Sequence, residues 1–187
     1  MVWKPKPCEG FTVKSSYWWL RQERVVIDAT ARKAKEIWFF KFPTKVKAFL
    51  WTLYLRKILI KTRRASWALT GDLNCVFCHA ERETVCHLMV SCPLVKQVWE
   101  WLGVATGLQP GFFTLDEMWE AGKRLRQNGD SKAAKITQSS VPAVVRSVWR
   151  ARNQALFKGI TPYTENIWED MILHIQDWPI GADHAPR

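Results

Sequence analysis

Apolar side chains recur at helical spacing along almost the whole chain, and strand-like alternation is absent. Thr12 is placed to cap a helix from Val13 to about Glu23, and Asp28 another through Ala34 to Phe39. Pro43 and Thr44 open the clearest helix, whose Val46, Phe49, Leu50, Leu53 and Tyr54 fall on one face. On that helix Lys45 and Arg56 share a flank and Lys47 takes the other. Thr62 starts a short basic helix through Trp67 that stops at Gly71. Leu94 to Leu102 reads as a helix with Val95, Val98, Trp99 and Leu102 inward, ended by Gly103. Gln109-Pro110-Gly111 marks a turn, and Thr114 to Glu117 has the residues of a capping box. The helix behind that box is expected to end near Gln127, before Asn128-Gly129. Pro142, at a first-turn position, opens a helix carrying Val144, Val145, Val148, Trp149 and Leu156 and stopped at Gly159. Thr164 caps a last helix with Ile167, Trp168, Met171, Ile172 and Ile175. The pattern therefore predicts a mainly α chain: a helical domain over 1–103, a helical extension over 104–178 and a loose tail over 179–187. Residues 104–112 and 128–141 are the expected hinges, and one compact unit or two subdomains both fit.

Composition narrows this. At 187 residues the chain suits one domain, or one with a satellite. Its 48% hydrophobic content excludes a disordered basic tail, and no apolar run approaches the ~20 residues of a membrane span. Lys4, Pro5, Lys6 and Pro7 interrupt the start, so a secretory signal is not expected and the protein is expected to be intracellular. Twelve tryptophans are far above ordinary use; Trp51, Trp99 and Trp149 lie on or beside apolar faces and are assigned to packing.

The net charge of +11 is unevenly placed. Residues 1–70 hold 16 Lys/Arg against 4 Asp/Glu, whereas 71–120 hold 2 against 7. Such asymmetry points to a polyanionic partner, most often nucleic acid, against the plainer reading of a solvated basic face. Lys41, Lys45, Lys47, Arg56, Lys57, Lys61, Arg63 and Arg64 are the candidate phosphate contacts. Lys61-Thr62-Arg63-Arg64 could also serve nuclear import.

Four of the five cysteines lie within eighteen residues: Cys75, Cys78, Cys86 and Cys92. Cys8 makes the total odd, which argues against a disulfide framework. A Cys-x2-Cys pair sets two thiolates on one tight turn, as a tetrahedral zinc site requires. Cys75 and Cys78 with His87 and Cys92 give such a set; by spacing alone Cys86 or His79 could replace His87. Redox use of the motif needs a strand before it, whereas Gly71-Asp72-Leu73-Asn74 reads as a turn. Four protein ligands leave no open position, so such a zinc would be structural, one per chain. Phe77, inside the metal turn, is a candidate for stacking on an unpaired base or for plain packing.

Catalytic signals are missing. There is no glycine-rich phosphate loop, no His-Glu-x-x-His, and only Asp28 among aspartates in the first seventy residues, so no acidic cluster for two-metal chemistry. His174 and His184 stand alone, and Ser15-Ser16 and Ser139-Ser140 have no catalytic framework nearby in sequence. No enzymatic activity is expected.

The chain resembles the reverse transcriptase zinc-binding domain of plant-type LINE (non-LTR) retrotransposons. The resemblance rests on Val2 to Pro5, Gly10 to Tyr17, Ile37-Trp38, Pro43 to Trp51, Cys75, Cys78, Glu83-Thr84, His87-Leu88, Cys92-Pro93 and Val98-Trp99, with Trp149, Arg152-Asn153 and Phe157 downstream. It implies His87 as the fourth ligand and a zinc knuckle of three cysteines and one histidine pinning the helical domain. The family's polyproteins carry an endonuclease, a polymerase and often a ribonuclease H, none of which matches here, so the chain is expected to be a free-standing copy. The expected function is zinc-dependent folding and binding of RNA or single-stranded DNA through the basic helical face. The alternatives are a domesticated protein-interaction adaptor without enzymatic activity, and an inert remnant.

Overall fold

A computed structural model describes residues 36–38, 42–65, 71–109, 111–126 and 132–178. Among the described residues there is no strand, only an isolated antiparallel bridge between Asn74 and Arg82. The helices are α1 (Thr44–Tyr54), α2 (Lys61–Ala65), α3 (Pro93–Thr106), α4 (Leu115–Arg126), α5 (Lys132–Lys158) and α6 (Thr164–Asp177). A π-helical turn, His87–Ser91, precedes α3. The expected helix from Val13 to Glu23 lies outside the described residues, as do Cys8, Lys41, Trp67 and the tail; of the Asp28 helix, residues 36–38 are described and are helical.

α1 forms as its pattern requires. Val46, Phe49, Leu50, Leu53 and Tyr54 are all buried, and the Pro43 carbonyl accepts the amides of Val46 and Lys47. The helix stops at Tyr54, because Arg56 takes a left-handed φ of 54° and turns the chain. Arg56 thus leaves the flank it was expected to share with Lys45.

α3 starts with Pro93 in its first turn, where a missing N–H is harmless. Val95, Val98, Trp99 and Leu102 face inward. Its expected stop at Gly103 is corrected: the helix continues to Thr106 and closes on Gly107, whose φ of 74° lets its N–H reach the Gly103 carbonyl. Before α4, the Thr114 hydroxyl accepts the Glu117 amide and the Glu117 carboxylate accepts the Phe113 amide. The capping box is therefore present, its return bond one residue further out than usual.

α5 is the axis of the fold. Its 27 residues span about 40 Å, and α1, α3, α4, α6 and the π turn all pack on it. Pro142 is an interior residue of this helix and not its first turn, so the expected hinge over 128–141 is helical from 132 onward. Its missing N–H gives up one bond, to the Gln138 carbonyl, in a stretch where Ser139 to Val145 are buried on every side. Neighbouring helices hold the segment where propensity alone would not. α4 crosses α5 closely at Gly122, where an added Cβ would come within 3.2 Å of Val141.

α6 lays Ile167, Met171 and Ile175 against α5. Thr164 is not its cap: the cap position is Tyr163, and the buried Thr164 hydroxyl donates to Gln97 of α3 at 2.9 Å. One connected set of buried side chains runs from Ile37 to Trp178, with Trp99 at its centre donating to the Met89 carbonyl at 2.9 Å. Among the described residues no helix is long and apolar enough to cross a membrane.

Candidate metal centre

The cysteine-bearing loop is shaped by backbone bonds and adds Phe77 and Val85 to the core. The Cys75 amide donates to the Glu81 carbonyl and the Glu83 amide to the Leu73 carbonyl, which closes the segment on itself. Within it the His79 amide reaches back to the Cys75 carbonyl, and His79 takes a left-handed φ of 56° to finish the turn. This places the Cys75 and Cys78 sulfurs on the same side. The Phe77 amide donates to the Cys75 sulfur at 3.4 Å.

The second half depends on the π turn. In an α-helix, residues five apart point about 140° away from each other. The wider π turn, with the Cys92 amide on the His87 carbonyl at 2.8 Å, brings residue i+5 back over residue i. His87 and Cys92 therefore converge. The ligand atoms of Cys75, Cys78, His87 and Cys92 all lie within 4.8 Å of one another.

These distances fit one tetrahedral ion. Zinc bonds of about 2.3 Å to sulfur and about 2.0 Å to nitrogen set sulfur–sulfur edges near 3.8 Å and sulfur–nitrogen edges near 3.5 Å. Cys75 and Cys92 are 3.9 Å apart, and Cys78 lies 3.3 Å from His87 Nε2. The other ring nitrogen, Nδ1, is 3.0 Å from the Glu81 carboxylate, though too poorly aligned for a hydrogen bond. A carboxylate at that nitrogen favours the tautomer that leaves Nε2 free to ligate. Glu81 was not among the residues singled out from sequence.

Without metal, the Cys75–Cys92 contact lowers the Cys75 pKa to about 5. The same contact, with burial, pushes the Cys92 thiol up. A cation binds the thiolate form of such a pair, so its binding would release protons. Cys86 and His79 are not part of the cluster. The Cys86 thiol turns away to the Phe113 carbonyl at 3.0 Å, and burial raises its pKa. His79 is exposed.

The loop is fastened to the axis by a buried ion pair. Arg152 of α5 donates to both carboxylate oxygens of Glu83, at 2.7 and 3.3 Å, with side-chain exposures of 2% and 0%. Glu83 also accepts the Lys61 amide at the start of α2 at 2.7 Å, and its carbonyl accepts the Thr62 hydroxyl at 2.7 Å. On its other side the guanidinium lies over the Trp149 ring, 5.1 Å from its centroid. One carboxylate thereby ties together the loop, α2 and α5.

The basic candidates separate into three groups. Lys45, Arg56 and Lys57 are exposed. Lys61 is engaged internally, donating to Asp72 at 3.0 Å and to the Asn74 carbonyl at 2.8 Å; Lys47 donates to the Trp38 carbonyl, and Arg63 to that of Arg56. Lys41 and the Arg64 side chain lie outside the described residues. Phe77 is 9% exposed within the metal turn, so it packs and is not available to stack on a base.

Residues 11–99 match the protein family described as zinc-binding in reverse transcriptase. A protein of Arabidopsis thaliana, provisionally named a ribonuclease H protein, is 27% identical over 114 residues, which is 61% of this chain and 18% of that protein. This chain therefore spans less than a fifth of that relative's length. No solved structure matches it.

Replacing Arg152 by Met should cost about 3–5 kcal/mol of stability, since it strands a buried carboxylate. Urea unfolding checks this. The double variant Arg152→Met with Glu83→Gln should recover part of the loss.

Proposed function

From the match of residues 11–99 to the family described as zinc-binding in reverse transcriptase, we propose that this chain is a retrotransposon-derived, zinc-pinned module that binds nucleic acid and catalyses nothing itself. The metal is zinc, one per chain, held by Cys75, Cys78, His87 and Cys92. The observation that carries this is that the four ligand atoms lie within 4.8 Å of one another, with the Cys75–Cys92 and Cys78–His87 separations near tetrahedral edges. Three sulfurs and one imidazole suit zinc among the available divalent ions. With four protein ligands the ion has no position for a water, so its contribution is folding energy.

Nucleic acid as the partner is supported by the net charge of +11 and by exposed Lys45, Arg56 and Lys57 on the side chains of and beyond α1. The ribonuclease H name of the Arabidopsis protein agrees with such a partner. The adaptor alternative would draw on a patch of exposed tryptophan. Among the described tryptophans only Trp38 is exposed, at 47%, which favours nucleic acid.

Metal analysis of the purified full chain should give one zinc per chain. Cys78→Ser should lose it and destabilise the loop, while Cys86→Ser should keep it; equal zinc in both variants would refute the ligand set. Filter binding should show affinity for RNA or single-stranded DNA that falls with salt, by about 0.7 in log–log slope for each phosphate contacted. No affinity at low salt would return the adaptor reading.

A further inference from the structure

Of the cations in residues 41–64, Lys47, Lys61 and Arg63 are bonded internally. A different surface has what a single strand requires. An open groove of about 330 Å³ runs along the second half of α5, lined by Arg146, Trp149, Arg150, Asn153, Phe157 and Lys158 among others, with no acidic residue in the lining. The spacing from 146 to 150, 153 and 157 is that of one helix face.

Arg146 is the most informative of these residues. It is half-buried with its guanidinium over the Phe49 ring, 5.3 Å from the centroid, and no carboxylate among the described residues bonds to it. Burial, and then the neighbouring charge of Arg150, lower its pKa. A half-buried cation to which no described carboxylate bonds gains from an anion in the groove, even though Asp170, paired with Arg150, offsets part of the local charge. Arg150 donates to Asp170 at 3.0 Å, which fixes its guanidinium and neutralises that one charge. Lys158 is exposed at the far end.

The groove also offers a ring: Phe157 is 70% exposed, so its face is open to a stacking partner. Asn153 accepts from Arg152 through its Oδ1, leaving its amide N–H groups to donate. Cations spaced along one face, an uncovered aromatic ring and a free amide together match phosphate, base face and base edge.

We infer that the groove on α5 formed by Arg146, Asn153, Phe157 and Lys158 binds single-stranded nucleic acid, with phosphates on the cations and a base stacked on Phe157. This rests on the nucleic-acid reading above and names its surface. A base can stack on Phe157 only when it is unpaired, which selects a single strand over a duplex.

The test is fluorescence anisotropy of the full chain with a labelled oligouridine, its DNA counterpart and a duplex of equal length. Phe157→Ala should weaken single-strand binding by roughly tenfold. Its ring is mostly outside the core, and circular dichroism should confirm an unchanged fold. Arg146→Gln with Lys158→Gln should lower the salt slope by about 1.4, two contacts' worth. Binding of either single strand that the groove variants weaken supports the groove, and the tighter of the two names the polymer. Suppose both groove variants bind like the parent while Lys45→Gln with Lys57→Gln abolishes binding. The nucleic-acid reading then stands and the groove is wrong. Equal affinity for the duplex also overturns the groove. A parent chain that binds no nucleic acid at low salt overturns both.

Discussion

A carboxylate and a guanidinium shut away from water must find each other, and in this protein that requirement couples the cysteine loop to the helical axis. Glu83 and Arg152 are 69 positions apart in sequence and essentially unexposed. Neither charge is tolerable alone in that position, because desolvating one costs several kcal/mol that only the other, with good hydrogen bonds, returns. The loop therefore cannot reach its buried place unless α5 is formed, and α5 cannot close its Arg152 side unless the loop is seated. Lys61 and Thr62 add α2 to the same carboxylate-bearing residue. Such a pair is weak evidence for net stability, but it fixes which pieces must be together.

The proposed zinc site acts on the other end of that loop. The loop's backbone bonds and the π turn bring four ligand atoms within 4.8 Å, with two of the sulfurs 3.9 Å apart. An ion there would cross-link the loop and add folding energy to its packing. With metal at one end and the Glu83–Arg152 pair at the other, the loop would be a wedge between the π turn and α5, with Trp99 of α3 bonded to the π turn's Met89 carbonyl behind it. The site is thus built to hold the helices in one arrangement. What the arrangement presents to solvent, basic residues around α1 and along α5, is the part proposed to meet a partner.

Much of this was legible in residue order, and the exceptions have physical reasons. The buried face of α1 followed from five apolar residues at helical spacing, and the cap of α4 from Thr114 and Glu117. Gly103 was a misleading stop, since a glycine inside a helix costs only about 1 kcal/mol and Gly107, four residues on, takes the left-handed conformation. Pro142 misled in the same way, because tertiary packing outweighs one lost backbone bond. The three ligand alternatives could not be separated by spacing. Cys86 and His87 are adjacent and point in different directions, and only the π turn decides that His87 faces Cys92. The Glu83–Arg152 pair has no local signature at all. Both residues stood in stretches that resembled the family, but nothing in either stretch says that they touch. The α5 groove did have a signal in the spacing of Arg146, Arg150, Asn153 and Phe157, which the concentration of charge in the first seventy residues overshadowed.

If the loop is held by metal, it and the long helix form one cooperative unit. Urea unfolding of the full chain, followed together by far-ultraviolet circular dichroism and tryptophan fluorescence with and without a strong chelator, checks this. A single transition by both probes is expected, whose midpoint drops for both when metal is removed. A helical signal that unfolds at the same midpoint with or without chelator would contradict it.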